Sequence, residues 1–564
     1  MPVNPDVYEA LNAIGRRDHS STSEYRIFGP PGTGKTKNLA RQVRRAVDRF
    51  GPDSVLVTSF SRAAAAEIAG RDLPLSENRI GTLHSHCWHA LGGPTIAEAR
   101  VDEWNRRHPH LKITPARSSH KLEDGEAEEE SSRDVHDGDY WLGELNRNRG
   151  LMAPQDSWPT ALREFGAKWT GYKRAVGLLD FCDLIESALH DVAVAPNNPA
   201  VIFADEAQDL NRMQLTLVRR WGLNAHYFVI AADDDQTIYS WCGATPEAVL
   251  EPEIPDDHKI ILKLSERVPR SVHELASRLI HQVSRRQEKI YEPRPEEGLC
   301  LHLSRGGYRS PESWVLRTAM QHVEKGQTVM FLASCAYMLH PVIAVLRKWG
   351  IPFHNPYRKS NGFWNPLRLG RKGASANRIL SLLAAHPDYG DDSRPWTHRD
   401  LKLWASWLNS RGILKLGAKV QIEQARDTLA VTTERLDELF EAGALESLLA
   451  TFQGDYRQLL DWWRRRVAAS FHSRVQFPAE VAMRSGPRAL KELPKVIVGT
   501  IHSVKGGEAD VVFLFPDLSN AGDAAYQRRG PQRDSVIRLF YVGMTRAREV
   551  LYICQRESSM AVTI

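Results

Sequence analysis

The sequence predicts an α/β fold with two doubly wound parallel-sheet cores, each interrupted by a mostly helical insert. Three observations support this prediction. Apolar, β-branched runs alternate with helical segments in the first part of the chain, the alternation returns near residue 328, and residues 373–490 are helical in pattern. Strands that alternate with helices are typical of a parallel sheet.

The first core is predicted from four apolar runs. Residues 25–36 (YRIFGPPGTGKT) indicate a short strand, a loop rich in Gly and Pro, and the start of a helix. Residues 54–60 (SVLVTSF) predict a buried strand, and the Ala-rich run at 61–71 predicts a helix. Residues 201–205 (VIFAD) and 227–233 (YFVIAAD) predict two further strands.

The second core is predicted from the same alternation. Residues 328–335 (TVMFLASC) indicate a strand, and 336–350 a helix. Further strands are expected at 495–504, 509–516 and 550–555. Each core therefore resumes after a long intervening segment.

The first intervening segment, residues 92–178, differs in composition from the cores. It is rich in charge and Trp, and it contains the acidic run LEDGEAEEESSRD at 122–134. Such a run is typical of a solvated loop or a disordered insert, with partner binding as the alternative.

Composition limits the class of protein. The chain has 564 residues, enough for several domains, and a net charge of +5, which permits an anionic partner without requiring one. Its six cysteines are scattered, which disfavours zinc and disulfide frameworks. We see no secretory signal and no apolar stretch of about 18 residues, so we expect a soluble, cytoplasmic protein that does not enter membranes.

A phosphate-binding motif lies between the first strand and the first helix. Residues 29–36 (GPPGTGKT) fit the pattern GxxxxGK[ST] in full. The glycines let backbone N–H groups surround phosphate oxygens, and the helix N-terminus adds partial positive charge. Lys35 can reach the β- and γ-phosphates of ATP, and the Thr36 hydroxyl can ligate Mg²⁺.

Two acids end the buried strand at 201–205. Asp205 and Glu206 would ordinarily be solvated, but the phosphate-binding motif reverses that interpretation, because ligands of such sheets lie at the carboxyl ends of the strands. Asp205 would hold Mg²⁺ through a water molecule, and Glu206 would take the proton from the attacking water.

An ordered set of motifs extends this interpretation over nearly the whole chain, and it resembles the superfamily 1 DNA helicases of the UvrD/Rep type. The segments are GPPGTGKT (29–36), SFSRAAAAEI (59–68), GTLHS (81–85), LDFCDL (179–184), DEAQD (205–209), DDDQTIYSWCGA (233–244), TIHSVKGGE (500–508) and LFYVGMTRA (539–547).

The resemblance implies two RecA-like cores, 1A and 2A, with helical inserts 1B and 2B. ATP would bind between the cores, and single-stranded DNA would cross both. The implied boundaries are 1–90 and 179–271 for core 1A, 91–178 for insert 1B, 272–372 and 491–564 for core 2A, and 373–490 for insert 2B.

The resemblance also implies roles at the nucleotide. Gln236 would contact the γ-phosphate, and Gln208 would belong to the same coupling region. Arg546 would act as an arginine finger. Arg267 would be a second one, with a surface position in a charged helix cap as the alternative. The other implied nucleotide-binding residues are Gly29, Pro30, Pro31, Gly32, Thr33, Gly34, Lys37, Gly506 and Glu508, the last at the ribose.

Aromatic side chains are expected on the DNA side, because they grip single strands by stacking on bases. Phe60 and Trp241 occupy the matching motif positions, His84 fits a backbone contact, and Tyr239 suits either DNA contact or core packing. Arg62 and His502 are the remaining candidates. For the WWRRR run at 462–466, a buried Trp pair with a solvated basic face is favoured over duplex contact.

The sequence departs from the family pattern at four places. No glutamine precedes the phosphate-binding loop, since the first one is Gln42, and Glu266 stands where relatives carry a base-stacking tyrosine. Ala63 replaces a lysine, and Ser535 and Val536 replace paired acids. The first two departures suggest a nucleotide pocket that selects adenine weakly.

The function implied is ATP-dependent, 3′→5′ unwinding of DNA, with single-stranded DNA and single-strand/duplex junctions as partners. Loading or accessory proteins are candidate partners, and we expect a monomer. A single-strand translocase that removes bound proteins, a DNA-binding scaffold with weak ATPase, and an RNA helicase are alternatives. Gln214 has no assigned role beyond the core or a helix surface.

Overall fold

The computed structural model describes residues 24–71, 73–115, 136–312, 314–358, 362–369 and 373–564. It divides into two compact units. The first takes in the described parts of 1–301 together with 516–551 and 560–564, and the second takes in 302–515 and 552–559. The acidic run at 122–134 lies outside the described residues.

The first unit is built on a six-stranded sheet. Its strands are β1 (Glu24–Phe28), β2 (Val55–Ser59), β3 (Ile80–Thr82), β4 (Val201–Asp205), β5 (Tyr227–Ala232) and β6 (Lys259–Ile261). They lie in the order β3-β2-β4-β5-β1-β6, and every pairing is parallel. A separate parallel pair is formed by β7 (Leu264–Pro269) and β8 (Glu292–Arg294).

The core of this sheet follows from strand alternation, because successive side chains point to opposite faces. Leu56, Ile202 and Ile230 pack in one buried cluster, whereas their neighbours Val57 and Phe203 pack in another. Both faces are therefore covered, as the continuous apolar runs predicted.

The second sheet also has six strands. They are β9 (Leu299–His302), β10 (Val329–Ala333), β11 (Phe353–His354), β12 (Val496–Thr500), β13 (Ala509–Leu514) and β14 (Ala547–Ile553). The order is β11-β12-β10-β13-β14-β9, with parallel pairings among the first four. The two α/β cores with parallel strands confirm the predicted fold class.

The helices, in chain order, are α1 (Lys35–Phe50), α2 (Arg62–Ala69), α3 (Leu83–Ala90), α4 (Asp102–Arg107), α5 (Asp137–Gly150), α6 (Thr160–Val176), α7 (Phe181–Asp191), α8 (Arg212–Gly222), α9 (Pro246–Leu250), α10 (Arg270–Ile280), α11 (Val315–Glu324), α12 (His340–Lys348), α13 (Ser375–Leu383), α14 (His398–Ala405), α15 (Ala418–Gln424), α16 (Thr433–Leu439), α17 (Ala442–Ala450), α18 (Tyr456–Arg466), α19 (His472–Ser485), α20 (Asn520–Gln527) and α21 (Pro531–Met544). None of these helices in the described ranges combines the length and apolar character needed to cross a membrane.

Both intervening segments are helical. The one in the first unit packs α4, α5 and α6 around a separate apolar cluster that includes Trp104 and Trp169. In the second unit, α13 to α19 occupy the predicted helical stretch. On α18, Trp462 and Trp463 are buried while Arg465 is exposed, which confirms the favoured interpretation of that run.

Candidate active site

The phosphate-binding loop joins β1 to α1 and is shaped by its glycines. Gly29 donates its N–H to the Ala232 carbonyl at 3.0 Å, which ties the loop to β5. A Cβ on Gly29 would lie 2.6 Å from that of Lys35. Gly32 has a φ of 74° and Gly34 a φ of 72°, the left-handed region that favours glycine. The loop is therefore an open cradle of backbone N–H groups before a helix N-terminus, which suits phosphate.

The lysine of this loop is paired with the predicted base. Lys35 Nζ forms an ion pair with Glu206 Oε1, and its side chain is 9% exposed. Burial alone would lower the pKa of Lys35, but the carboxylates of Glu206 and Asp205 raise it above its ordinary value. Lys35 is therefore firmly charged and already lies beside the two acids at the end of β4.

The two acids differ in setting. Asp205 is the last residue of β4 and is 1% exposed. Glu206 is 23% exposed and has a φ of 50°, a strained backbone for a residue with a side chain. Such strain persists only where the surroundings enforce it. The carboxylate of Glu206 is thereby turned from the strand end toward the loop.

An oxygen-donor set suited to Mg²⁺ borders the same loop. Thr36 is the second residue of α1 and is half-buried. Asp205 lies at the carboxyl end of β4, next to the residue that pairs with Lys35. A hydroxyl and a carboxylate are the hard oxygen ligands that Mg²⁺ takes together with water and phosphate. The residues present therefore fit this ion.

Gln208 connects the base to the next motif. It is fully buried, and its Nε2 donates to Glu206 Oε2 at 2.6 Å. The backbone N–H of Asp233 donates to Gln208 Oε1 at 3.0 Å. Both ends of this amide are thus held, and Gln208 joins the ends of β4 and β5.

Gln236 lies at the other end of this path. Its Nε2 donates to Asp233 Oδ2 at 2.7 Å, and its Oε1 accepts from Arg546 Nη2 at 3.1 Å. Arg546 is 1% exposed, and its Nε donates to the Val542 carbonyl at 2.9 Å. The structure therefore brings together Gln236 and Arg546, which are 310 residues apart in sequence.

Arg267 lies beside the phosphate-binding loop rather than in a helix cap. It is on β7, and its Cβ would be 2.5 Å from a Cβ placed on Gly32. Ser265 holds the contact, since its Oγ donates to the Pro31 carbonyl at 2.8 Å and accepts the Arg267 N–H at 3.3 Å. Glu266 pairs with Lys37 at 3.3 Å across the outside of the loop.

The predicted DNA-side aromatics of the first unit are clustered. The ring of Tyr239 lies 5.1 Å from that of Phe60 and 6.2 Å from that of Trp241. Tyr239 is 7% exposed, so it packs in the cluster, whereas Phe60 and Trp241 are half-buried. The side chain of Arg62 lies outside the described set.

His84 and the candidates of the second unit complete the predicted set. The His84 ring packs edge-on against Phe181 at 5.8 Å, and burial lowers its pKa to about 4, so it is neutral at physiological pH. His502, Gly506 and Glu508 all follow β12 in the second unit. Their roles stay predictions.

Sequence reasoning missed several residues that organise this site. Ser265 carries no motif signal in the sequence. Lys289, in the charged run RRQEKIY, contacts three aspartates that lie more than fifty positions earlier, and no spacing rule links them. Gln214, which had no role, caps α8: its Oε1 accepts the Asn211 N–H at 2.9 Å.

A glycine-lined phosphate loop, a buried lysine paired with the carboxylate that follows β4, and two nearby arginines define the first unit as a P-loop nucleoside triphosphatase of RecA-like fold. Comparison with known families refines this class. The model described as UvrD/REP helicase N-terminal domain matches residues 15–254, and the UvrD-like helicase C-terminal domain matches residues 476–558. The chain belongs to the UvrD/Rep-type helicases of superfamily 1, a family of DNA-dependent ATPases.

Individual relatives are distant in sequence, and the similarity covers most of their length. The chain is 22% identical to the ATP-dependent DNA helicase PcrA of Staphylococcus aureus, over 95% of this chain and 81% of that protein. It is 23% identical to PcrA of Staphylococcus epidermidis, over 98% of this chain and 85% of that protein. The similarity thus extends over nearly the whole chain.

Proposed function

We propose that this chain is an ATP-dependent helicase that moves 3′→5′ on single-stranded DNA and separates duplex at junctions, in replication, repair or recombination. The observation that carries the proposal is one continuous hydrogen-bonded path in the first unit. It runs from Lys35 through Glu206 and Gln208 to Asp233 and Gln236. A nucleotide bound at Lys35 could therefore shift Gln236, which lies three residues before Tyr239 of the aromatic cluster.

The roles of the residues follow from their positions. Lys35 would leave Glu206 for the phosphates, which frees the Glu206 carboxylate to take a proton from the attacking water. Gln236 and Arg546 would stabilise the charge that develops on the transferred group. Thr36 and Asp205 would hold Mg²⁺, which supplies neutralisation of phosphate charge when bound.

The DNA-binding role rests on the aromatic cluster and on the family. Phe60 and Trp241 retain exposed ring surface and could stack on bases without reading sequence. Because its ring is neutral, His84 could either donate or accept a hydrogen bond at the DNA backbone. We further propose roles for Arg62 and His502 in DNA binding, for Gly506 and Glu508 at the nucleotide, and the 1A, 1B, 2A and 2B boundaries given above.

Weak selection of adenine is a separate proposal. Glu266 is 66% exposed and paired with Lys37, so no aromatic ring occupies the position from which relatives stack on the base. We expect KM values for ATP and GTP within about tenfold of each other, because no base-specific contact would add discrimination. A KM for GTP far above that for ATP would contradict this proposal.

A single experiment tests the main proposal. DNA-stimulated ATP hydrolysis and strand separation are measured on forked duplexes and on duplexes with 3′ or 5′ single-stranded tails, for the wild type and for Glu206→Gln. We expect unwinding only from a 3′ tail and none by the variant. ATP turnover without unwinding would favour the single-strand translocase. Turnover stimulated by RNA would favour an RNA helicase, and DNA binding without turnover would favour a scaffold.

A further inference from the structure

Three consecutive carboxylates are buried together behind the nucleotide site. Asp233, Asp234 and Asp235 are each fully buried. Lys289 contacts all three: its Nζ lies 3.0 Å from Asp233 Oδ1 and 2.9 Å from Asp235 Oδ2, and it pairs with Asp234 Oδ1. Arg286 contacts Asp235, through bonds of 2.9 and 2.6 Å. Lys289 thus contacts all three carboxylates, and Arg286 adds a second cation at Asp235.

The electrostatics make this ammonium necessary. A buried carboxylate without a partner costs several kcal/mol, and like charges side by side add to that cost. Burial would lower the pKa of Lys289, but the carboxylates of Asp233, Asp234 and Asp235 raise it above its ordinary value. Lys289 is therefore cationic throughout the physiological range.

Asp233 divides its contacts between this cation and the site. Oδ1 faces Lys289, whereas Oδ2 accepts the Nε2 of Gln236 at 2.7 Å. Its backbone N–H donates to Gln208. With Nε2 held by a carboxylate, the Gln236 amide has one orientation, and its Oε1 meets Arg546. The position of Asp233 thus determines that the Gln236 amide presents its nitrogen to Asp233 and its oxygen to Arg546.

The same ammonium lies close to the phosphate loop. Lys289 Nζ is 5.9 Å from the ring centroid of Phe28, the last residue of β1 and the one before Gly29. The cluster thus borders both the segment that carries Gln236 and the strand that leads into the phosphate-binding loop.

We propose that Lys289 is a positioning residue for nucleotide hydrolysis: by holding Asp233, it sets the orientation of the Gln236 amide. This inference rests on the proposed role of Gln236 at the γ-phosphate. The Lys289 side chain is 1% exposed and would act on the nucleotide site only through Asp233. Its loss should lower kcat for ATP hydrolysis and leave nucleotide binding nearly unchanged, because the phosphate-binding loop stays intact.

The test compares full-length variants with single-stranded DNA at saturation. Lys289→Met removes the charge at similar length, and Lys289→Arg restores it. Arg285→Met is the matched control, since Arg285 is 52% exposed on the same segment and pairs with Glu251 at the surface. We measure kcat and KM for ATP, binding of a fluorescent ADP analogue, and the thermal midpoint. Both Lys289→Met and Gln236→Ala are made singly and together.

We expect kcat of Lys289→Met to fall about tenfold to a hundredfold, as displacement of a positioned group does, with ADP affinity within about threefold. Lys289→Arg should recover most of the rate, and Arg285→Met should match the wild type. In a Gln236→Ala background, Lys289→Met should cause no further loss of kcat, because both changes disable the same amide.

Several results would overturn the inference. The first is a wild-type kcat in folded Lys289→Met. The second is that Lys289→Met lowers kcat by the same factor with and without Gln236→Ala. The third is that Lys289→Met weakens ADP binding and leaves kcat unchanged. If Lys289→Met does not fold, we use the double variant Lys289→Met/Asp234→Asn, which removes one charge of each sign. Its kcat is compared with that of Asp234→Asn alone. Equal kcat values would overturn the inference. Wild-type kcat in Gln236→Ala would instead refute the proposed role of Gln236.

Discussion

The first unit contains two buried ionic clusters of similar chemistry and different use. In the phosphate-loop cluster, Lys35 pairs with Glu206. In the insert cluster, Lys173 pairs with Asp180 at 2.5 Å and with Asp183. Each combines a buried lysine with carboxylates close in sequence to one another. Residue type alone would not separate them.

The carboxylates differ in how completely they are satisfied. Asp180 is fully buried and accepts bonds from Arg149 Nη1 at 3.0 Å and Trp169 Nε1 at 2.9 Å. It also caps α7, since its Oδ1 accepts the N–H of Asp183 at 2.7 Å. These contacts hold the pKa of Asp180 low, at about 2, with Arg149 and Lys173 outweighing the effect of burial.

Glu206 is neither capped nor enclosed. It lies on a left-handed backbone, it is 23% exposed, and it pairs with Lys35 and accepts a bond from Gln208. A carboxylate that must change partner during a reaction needs such freedom, whereas one that anchors a helix does not. Exposure together with backbone strain therefore distinguishes the carboxylate that we propose as the base from the one that anchors a helix.

The largest expected effect comes from breaking the phosphate-loop cluster. Glu206→Gln should lower kcat for ATP hydrolysis about a thousandfold, because the amide cannot take a proton, while the thermal midpoint stays near the wild-type value. Steady-state turnover with single-stranded DNA measures this loss. Glu251→Gln, at the surface, is the control. Unwinding by Glu206→Gln at the wild-type rate would refute the assignment of the base.

Breaking the insert cluster should do the opposite. Lys173→Met should destabilise the protein by about 3 kcal/mol, because it leaves buried carboxylates short of a cation, and should leave kcat of the folded fraction near wild type. Urea unfolding measures the first effect and turnover at low temperature the second. Lys168→Met, exposed on the same helix, should change neither. A large loss of kcat without destabilisation would contradict this comparison.

Glu98, which lies beside Asp180 in the insert cluster, should make the free energy of unfolding depend on pH. Burial and the nearby Asp180 raise the pKa of Glu98 to about 8, so the folded state keeps a proton that the unfolded state has lost. Its contribution to stability is present below about pH 4.5 and is lost as the pH rises toward 8.

Glu98→Gln should remove this part of the pH dependence. We expect the variant to match the wild type at pH 5 and to exceed it at pH 8 by about 2 kcal/mol, less than full linkage because water can reach the carboxylate after local rearrangement. Denaturant midpoints at several pH values test this. Equal slopes for both proteins would show that Glu98 is ionised in the folded state.

The smallest effect concerns the helix that follows the phosphate-loop cluster. Gln214→Ala should cost about 1 kcal/mol of stability, because α8 loses half of the capping pair formed with Asn211. Turnover should be unchanged, since the Gln214 side chain accepts its bond from the Asn211 backbone at the start of α8, away from Glu206 and Gln208. Arg212→Ala, exposed in the same helix, provides the comparison. A turnover loss larger than the stability loss would give Gln214 a role in the site.

Prediction from sequence was most accurate for the secondary structure around contiguous motifs. The phosphate-binding loop, the acids after 201–205 and the DDDQ segment were identified together with their surrounding strands and helices. Boundaries were less accurate: the helix expected at 336–350 is a short 3₁₀ turn at Ala336–Leu339 followed by α12. His340 and Pro341 explain the start, because proline suits the first turn of a helix.

Prediction failed where a function depends on residues that the fold brings together. Lys289 reads as one more cation in a charged run, and Glu98 as an ordinary acid, because neither residue has a partner nearby in sequence. Gln208 and Gln236 could be assigned to one region through family resemblance. Their connection through Asp233 depends on the ends of β4 and β5 being neighbours in the sheet.

The two parallel-sheet cores, the phosphate-binding loop and the family are predictable from sequence alone, because alternation and contiguous motifs are local properties. Only the folded chain separates the charged groups that we propose for chemistry from those that stabilise the fold. That distinction depends on burial, on backbone conformation at single residues such as Glu206, and on contacts between Lys289 and carboxylates on another strand end. These are set by packing, which a linear pattern does not record.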